Sequence, residues 1–159
     1  QISKLSYLEF LVNQLACYKA LENHTKYNLP DERLRREEKI QNDINELKNE
    51  LSITRDEEIN NMITHSTKEY VYYVQHHLNS KEDFIAHVYV RYLGDLRGGQ
   101  MIAKKIPGSG QYYKFENSKE LASSLYNVIN NDMAEEAKKV FNFATKLFIE
   151  MYENNSKRK

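Results

Sequence analysis

The chain has 159 residues, enough for one domain with a single sizeable core. Two prolines and five glycines leave few turn residues for an all-β fold, and 23 basic residues balance 23 acidic ones, so overall charge gives no argument for nucleic acid or an acidic membrane. The single cysteine, Cys17, excludes an internal disulfide, no Cys/His cluster has zinc spacing, and no apolar run approaches the about 20 residues of a membrane span.

The first third of the chain has the periodicity of amphipathic helices. Apolar residues at helical spacing predict a first helix over residues 3–23. Asp31 is expected to begin a second helix, whose narrow apolar stripe and many charges predict a solvated surface helix. Thr54 and Glu57 have the spacing of a capping box and predict a short third helix.

The remainder of the chain continues this pattern. A fourth helix is predicted around residues 70–78, and Ser80 with Asp83 caps the helix that follows. Residues 107–110 form the clearest loop, after which the stretch 112–115 is either briefly extended or packed down. Asn117 or Ser118 begins a sixth helix, and apolar residues from Met133 to Met151 predict a last, core-facing helix.

No convincing strand pair appears, so the predicted architecture is an all-α, compact helical bundle. We expect residues 1–153 to form one helical domain and residues 154–159 a basic flexible tail.

The most informative segment is the predicted helix at residues 84–106, which contains three of the five glycines: Gly94, Gly98 and Gly99. Each glycine inside a helix costs about 1 kcal/mol relative to alanine. Gly94 and Gly98 are four residues apart and therefore share a face. Two explanations are open: close packing of another helix, or close approach of a flat or bulky ligand to the backbone.

Residues 92–100, with the sequence YLGDLRGGQ, closely resemble the signature of the heme oxygenase family. Residues 135–138 also resemble that family, and residues 7–12 and 18–22 resemble its plant and plastid branch. The resemblance covers most of the chain in the right order. It implies a heme-oxygenase-like bundle with a glycine-kinked distal helix, and the composition, rich in asparagine, lysine and tyrosine, adds a hint of a plastid-type organelle such as the apicoplast.

The same resemblance implies heme as the cofactor and assigns site residues. In the family a carboxylate anchors ordered waters above the heme, a tyrosine joins that water network, and a basic residue binds a heme propionate. The matching catalytic residues are Asp95, Tyr18 and Arg91, with Arg91 pairing with Asp95 or its neighbours; the matching heme-binding residues are Gly94, Gly98, Gly99 and Lys138.

Two features depart from the family pattern. The axial histidine of the family lies on a helix upstream of the one that bears Tyr18, so we expect it, if present, before Gln1. His24 has similar neighbours but follows Tyr18 on the wrong helix. Arg97 stands where the family has a small residue, where it could crowd the heme pocket or reach a propionate.

These departures favour a non-catalytic heme-oxygenase-like protein that binds or scaffolds a protein or nucleic-acid partner. The alternative is an active heme oxygenase that converts heme to biliverdin, iron and carbon monoxide with electrons from a reductase or ferredoxin. A third reading is a plain helical interaction module whose glycines serve packing alone.

Overall fold

A computed structural model describes residues 2–157 and confirms the all-α prediction, with no strand in that range. The α-helices are α1 (Lys4–Glu22), α2 (Glu37–Glu50), α3 (Asp56–Asn60), α4 (His65–His76), α5 (Lys81–Ala103), α6 (Ser118–Tyr126) and α7 (Ala134–Lys157). Single-turn 3-10 helices lie at Glu32–Leu34, Gln111–Tyr113 and Asn131–Met133. No described helix combines the length and the apolar character needed to span a membrane.

The first helix, α1, is the centre of the bundle. It packs against α2 and α4, and it buries side chains around most of its circumference, so it has no broad solvent-facing side. Ser3 begins it by accepting a hydrogen bond from the Ser6 N–H at 3.1 Å. The buried apolar residues of α1 are Tyr7, Leu8, Leu11, Val12, Cys17, Tyr18, Ala20 and Leu21.

Buried polar side chains of α1 fix the ends of its neighbours. The Asn13 amide donates to the Met62 carbonyl at 3.0 Å and accepts from the Thr64 N–H at 2.9 Å, at the start of α4. The Glu22 carboxylate accepts from the backbone N–H groups of Arg36 and Glu37, at 2.7 and 3.0 Å. Glu22 therefore satisfies the first turn of α2 from outside that helix.

Two predicted helix starts are wrong, whereas those at Ser3, Ser80 and Ser118 are confirmed. Asp31 caps the single turn Glu32–Leu34, and α2 begins only at Glu37, where Glu22 supplies the acceptor. Thr54 caps nothing, because α3 begins after Arg55, with an acidic first turn that suits a helix N-terminus. Ser80 caps α5 as predicted, accepting from the Asp83 N–H at 3.1 Å.

The prediction that α2 is simply a solvated surface helix is also wrong. Its apolar residues are buried, as expected, but Asp43 on the same helix is only 2% exposed. Asp43 and Glu46 accept hydrogen bonds from backbone N–H groups of residues 109–112. The acidic face of α2 thus holds the loop that follows α5.

The last helix, α7, lies along α5 in the same direction. Glu136 bonds His87 near one end, and Phe148 and Ile102 line one groove near the other. Val140, Leu147 and Met151 face inward, in agreement with the predicted core stripe. Residues 154–157 continue the helix, whereas Arg158 and Lys159 lie outside the described residues, so the division into domain and tail stays a prediction.

The three glycines of α5 have different surroundings. A Cβ on Gly94 would meet nothing within 4 Å, and one on Gly98 would only touch Ile102 at 3.8 Å. A Cβ on Gly99 would lie 2.9 Å from the Tyr113 ring, because the loop after α5 packs directly on the helix backbone. Gly94 and Gly98 therefore leave an open helix face, while Gly99 makes room for Tyr113.

We expect opposite effects of alanine at the first and last of these positions. Gly94→Ala should raise the free energy of unfolding by up to about 1 kcal/mol, because it removes a helix-breaking glycine without a clash. Gly99→Ala should lower it by about 1–3 kcal/mol, because the Tyr113 ring must shift. Urea denaturation of both variants measures the difference, and stabilisation by Gly99→Ala would contradict the packing role.

Candidate functional site

The structure brings two of the predicted catalytic residues together. The buried Tyr18 hydroxyl of α1 donates a hydrogen bond to the Asp95 carboxylate of α5, and it lies 3.4 Å from the Arg91 carbonyl oxygen. The Tyr18 ring stacks on Tyr92 with 5.0 Å between centroids. Around Tyr18, α1 and α5 are therefore joined by the Tyr18–Asp95 hydrogen bond as well as by ring stacking.

A third member of this cluster, Tyr112, was not predicted from the sequence. Its hydroxyl lies 3.2 and 3.1 Å from the two Asp95 oxygens, and it accepts a hydrogen bond from the Gln14 amide at 2.9 Å. The sequence left residues 112–115 open between an extended and a packed conformation. Gln14 is one of four buried polar residues on α1, with Glu9, Asn13 and Glu22, so its polarity alone did not identify Tyr112 as a partner.

The environment of Asp95 changes its acidity. Burial raises the pKa of Asp95 to about 7, although the hydrogen bonds from Tyr18 and Tyr112 act in the opposite direction. Burial and the nearby Asp95 charge raise the pKa of both tyrosines well above the ordinary value. The two phenols therefore keep their protons at neutral pH. Tyr18 donates to Asp95, and the Tyr112 proton can be directed to Asp95 or to the Tyr18 hydroxyl.

Arg91, the third predicted catalytic residue, points into a different cluster. Its Nε donates to the Tyr70 hydroxyl at 3.0 Å, and its guanidinium lies 4.1 Å from the Tyr70 ring centroid. The expected pairing was with Asp95 or its neighbours. The structure shows no hydrogen bond between the Arg91 side chain and Asp95, because that side chain is bonded to Tyr70 of α4. The Arg91 charge nevertheless lowers the pKa of Asp95.

This second cluster defines the protonation of a buried histidine. His87 Nδ1 lies 2.8 Å from the Tyr70 hydroxyl, and its Nε2 lies 2.7 Å from the Glu136 carboxylate. Because Tyr70 already accepts from Arg91, its proton points to Nδ1, so Nε2 carries the imidazole hydrogen and donates to Glu136. Burial lowers the pKa of His87, in agreement with this neutral form.

The other predicted site residues are dispersed. Lys138 on α7 has a side chain that is 72% exposed, and its Nζ lies 3.5 Å from a Glu135 oxygen. Arg97 donates to the Tyr126 hydroxyl at 2.7 Å, so its guanidinium is directed to α6. No side-chain atom of Arg97 comes within 4 Å of the position of a Cβ on Gly94.

Among the described residues, the histidines make their contacts away from the open face at Gly94 and Gly98. Both ring nitrogens of His24 are hydrogen-bonded, to the Val74 carbonyl at 3.0 Å and to the Lys26 N–H at 3.1 Å. His87 is fully engaged, as described above. His65, His76 and His77 belong to α4 or its end, and α4 packs mainly against α1 and α7.

These residues fit heme only in part. The open backbone at Gly94 and Gly98 meets the steric requirement of a flat cofactor. Among residues 2–157, however, no histidine is directed to that face as an axial ligand. No group of three or more potential metal-ligating Cys, His, Asp or Glu side chains converges in this part of the chain.

Comparison with known proteins gives a consistent assignment. The family model described as "Heme oxygenase" matches residues 1–150. Heme oxygenase 2 of Macaca fascicularis is 35% identical, over 46% of this chain and 30% of the relative, and heme oxygenase 2 of Oryctolagus cuniculus is 33% identical over the same shares. The aligned part of the chain thus spans about a third of the length of these curated relatives.

Two solved structures share the fold. The heme complex of heme oxygenase-1 from the cyanobacterium Synechocystis sp. PCC6803 superimposes with a TM-score of 0.76 and 24% identity, covering 99% of this chain and 81% of that one. Heme oxygenase from Leptospira interrogans gives a TM-score of 0.77 and 22% identity, covering 94% and 84%. At this identity the likeness concerns the arrangement of helices.

The raised pKa of Asp95 predicts a pH effect on stability. In the unfolded chain an aspartate titrates near its ordinary value, about 3.9. Between about pH 4 and pH 7 the folded protein therefore binds the extra proton, and the Asp95 contribution to stability is lost as the pH rises through this window. Asp95→Asn, which still accepts from Tyr18, should gain stability relative to the native protein on going from pH 5 to pH 8.

Urea denaturation of both proteins at the two pH values measures this change. Contributions of other titrating groups, such as Glu136, are common to both proteins and cancel in the difference. An equal stability difference at pH 5 and pH 8 would contradict the assigned proton affinity of Asp95.

Proposed function

Because this chain belongs to the heme oxygenase family, we propose that it uses the family's helical scaffold as a non-catalytic binding domain that does not degrade heme. The family itself binds heme, and the solved cyanobacterial relative is a heme complex. The proposal concerns what this particular chain retains of that activity.

The observation that carries the proposal is the approach of a second phenol, Tyr112, to Asp95, in addition to the Tyr18 contact that the resemblance implies. Family resemblance assigns this carboxylate to hold ordered water above the heme. Here Tyr18 donates to it, and the Tyr112 hydroxyl lies 3.1–3.2 Å from both Asp95 oxygens and from the Tyr18 hydroxyl. Gln14 donates to the Tyr112 hydroxyl from the other side. A carboxylate whose hydrogen bonds end on side chains of its own fold has less capacity to organise solvent over a ligand.

The positions of the histidines support the same conclusion. An axial histidine must leave one ring nitrogen free for the iron. His24 and His87 use both nitrogens in hydrogen bonds within the fold. A heme on the Gly94 and Gly98 face would therefore contact open backbone. Neither His24 nor His87 would have a free ring nitrogen to bind its iron.

An apolar surface along α5 and α7 supports a binding role. On α7, Phe141, Phe148 and Tyr152 are 60%, 57% and 74% exposed, and on α5 Met101 is 71% exposed. Phe148 and Tyr152 line one groove together with Ile102 of α5. Exposed aromatic and aliphatic side chains of this kind favour a protein partner over a nucleic acid.

The alternative, an active heme oxygenase, also has a specific observation in its favour. Gly94 and Gly98 are open, and Tyr18 contacts Asp95 as the resemblance implies. Such an enzyme would need heme, electrons from a reductase or ferredoxin, and an axial ligand from outside the described residues. A plant or plastid ancestry and a plastid location also stay predictions.

A heme-degradation assay distinguishes the two functions. The full-length protein is mixed with hemin, and ferredoxin with its reductase supplies electrons in air. We expect no biliverdin absorbance and no Soret band typical of histidine-ligated heme, because Tyr112 approaches Asp95 and because His24 and His87 use both ring nitrogens within the fold. An established heme oxygenase in the same assay is the positive control.

Asp95→Ala serves as the matched variant of that assay. If heme associates only nonspecifically, its spectrum should be the same with the variant and the native protein. Biliverdin formation by the native protein, abolished in Asp95→Ala, would establish the enzymatic alternative.

A further inference from the structure

We propose that Tyr112 is a built-in occupant of the Asp95 pocket, placed there by Arg36 and Asp43 of the α2 region, and that it takes hydrogen-bonding positions on Asp95 that solvent or a ligand would otherwise fill. This inference deepens the proposed function and rests on it for its biological meaning. Its geometry involves only residues of this chain.

The backbone before Tyr112 is fixed by Asp43. One Asp43 oxygen accepts from the Gln111 N–H at 3.0 Å, and the other accepts from the Tyr112 N–H at 2.8 Å. A buried carboxylate that binds two successive N–H groups defines the orientation of both peptides. Glu46 adds a bond to the Ser109 N–H at 2.8 Å, at the start of the same loop.

The backbone after Tyr112 is fixed by Arg36. This guanidinium is among the most buried side chains, at 1% exposure, and it donates to the Tyr112 and Lys114 carbonyls at 3.0 and 2.8 Å. It also lies 3.7 Å from the centre of the Phe115 ring. Planar Arg36 and bidentate Asp43 therefore bracket Tyr112 from both sides.

The Tyr112 ring has little freedom to turn away. It stacks on Tyr113 with 4.2 Å between centroids and meets the Tyr18 ring edge-on at 5.7 Å. Tyr113 in turn packs against the Gly99 backbone. With the backbone and the ring both held, the hydroxyl is delivered to Asp95.

The consequence for Asp95 concerns its hydrogen-bond capacity. A carboxylate offers about four lone-pair positions. Tyr18 and Tyr112 both approach Oδ2, and Tyr112 also lies within 3.2 Å of Oδ1. The Tyr112 hydroxyl favours the ionised carboxylate, so its removal should make Asp95 harder to ionise and leave an acceptor position free.

The test is a carboxyl titration followed by NMR, in the absence of heme, on protein with 13C-labelled aspartate. Tyr112→Phe keeps the stacked ring and removes only the hydroxyl. We expect the Asp95 midpoint to rise by about one pH unit, the size of a hydrogen bond to a charged group. Tyr113→Phe removes a hydroxyl that makes no hydrogen bond to Asp95, so it should shift the Asp95 midpoint much less than Tyr112→Phe does.

Asp43→Asn tests the positioning step. It preserves the size of the side chain but weakens its grip on the Gln111 and Tyr112 N–H groups. The Asp95 midpoint should rise in this variant too, and combining it with Tyr112→Phe should add nothing further, because both changes remove the same contact. An unchanged midpoint in Tyr112→Phe, an equal rise in Tyr113→Phe, or full additivity in the double variant would each overturn the proposal.

The two proposals fail separately. Biliverdin formation by the native protein would end the non-catalytic assignment, whereas the titration examines Asp95 without any cofactor. If the native protein proves to be an active enzyme and Tyr112→Phe still raises the Asp95 midpoint as expected, Tyr112 remains a positioning residue for Asp95.

Discussion

The fold depends on providing donors for carboxylates that are removed from water. Glu22, Asp43 and Glu136 are buried and Asp95 is partly buried, and an unpaired charge in such a place would be strongly unfavourable. Backbone N–H groups bind Glu22 and Asp43, and tyrosine hydroxyls reach Glu22, Asp95 and Glu136. Each of these bonds joins different elements of the bundle. The abundance of tyrosine in the chain thus has a structural purpose, since a phenol combines a large packing surface with a neutral donor.

Features of this structure could be predicted where they depend on residues close together in the sequence, and could not where they depend on residues far apart in it. Periodicity identified the seven helices, and the run 92–100 identified the family and placed Asp95 beside an open backbone, because these signals are local. Tyr112 could not be found in this way, because its contacts to Asp95, Gln14 and Asp43 join distant parts of the chain. Asp43 was misleading for a related reason. In the sequence it is one more acid on a charged helix, and only the folded loop shows that it is buried.

The glycine-rich helix illustrates how one motif can combine two physical requirements. Gly94 and Gly98 leave the helix backbone accessible. At Gly99 the absence of a side chain makes room for Tyr113, which stacks on Tyr112. The segment 94–99 therefore provides an exposed backbone surface and also packs against the loop that brings Tyr112 to Asp95. Possession of the motif identifies the fold, while the state of the pocket is decided by residues that lie far from it in the chain.

The Tyr112 hydroxyl is also a group that a single mutation can add or remove. Tyrosine and phenylalanine codons differ by a single base, and the two side chains by a single oxygen atom. The stacking on Tyr113 and the backbone anchors on Arg36 and Asp43 do not involve that oxygen. A single mutational step can therefore add or remove the hydroxyl beside Asp95 without rebuilding the loop.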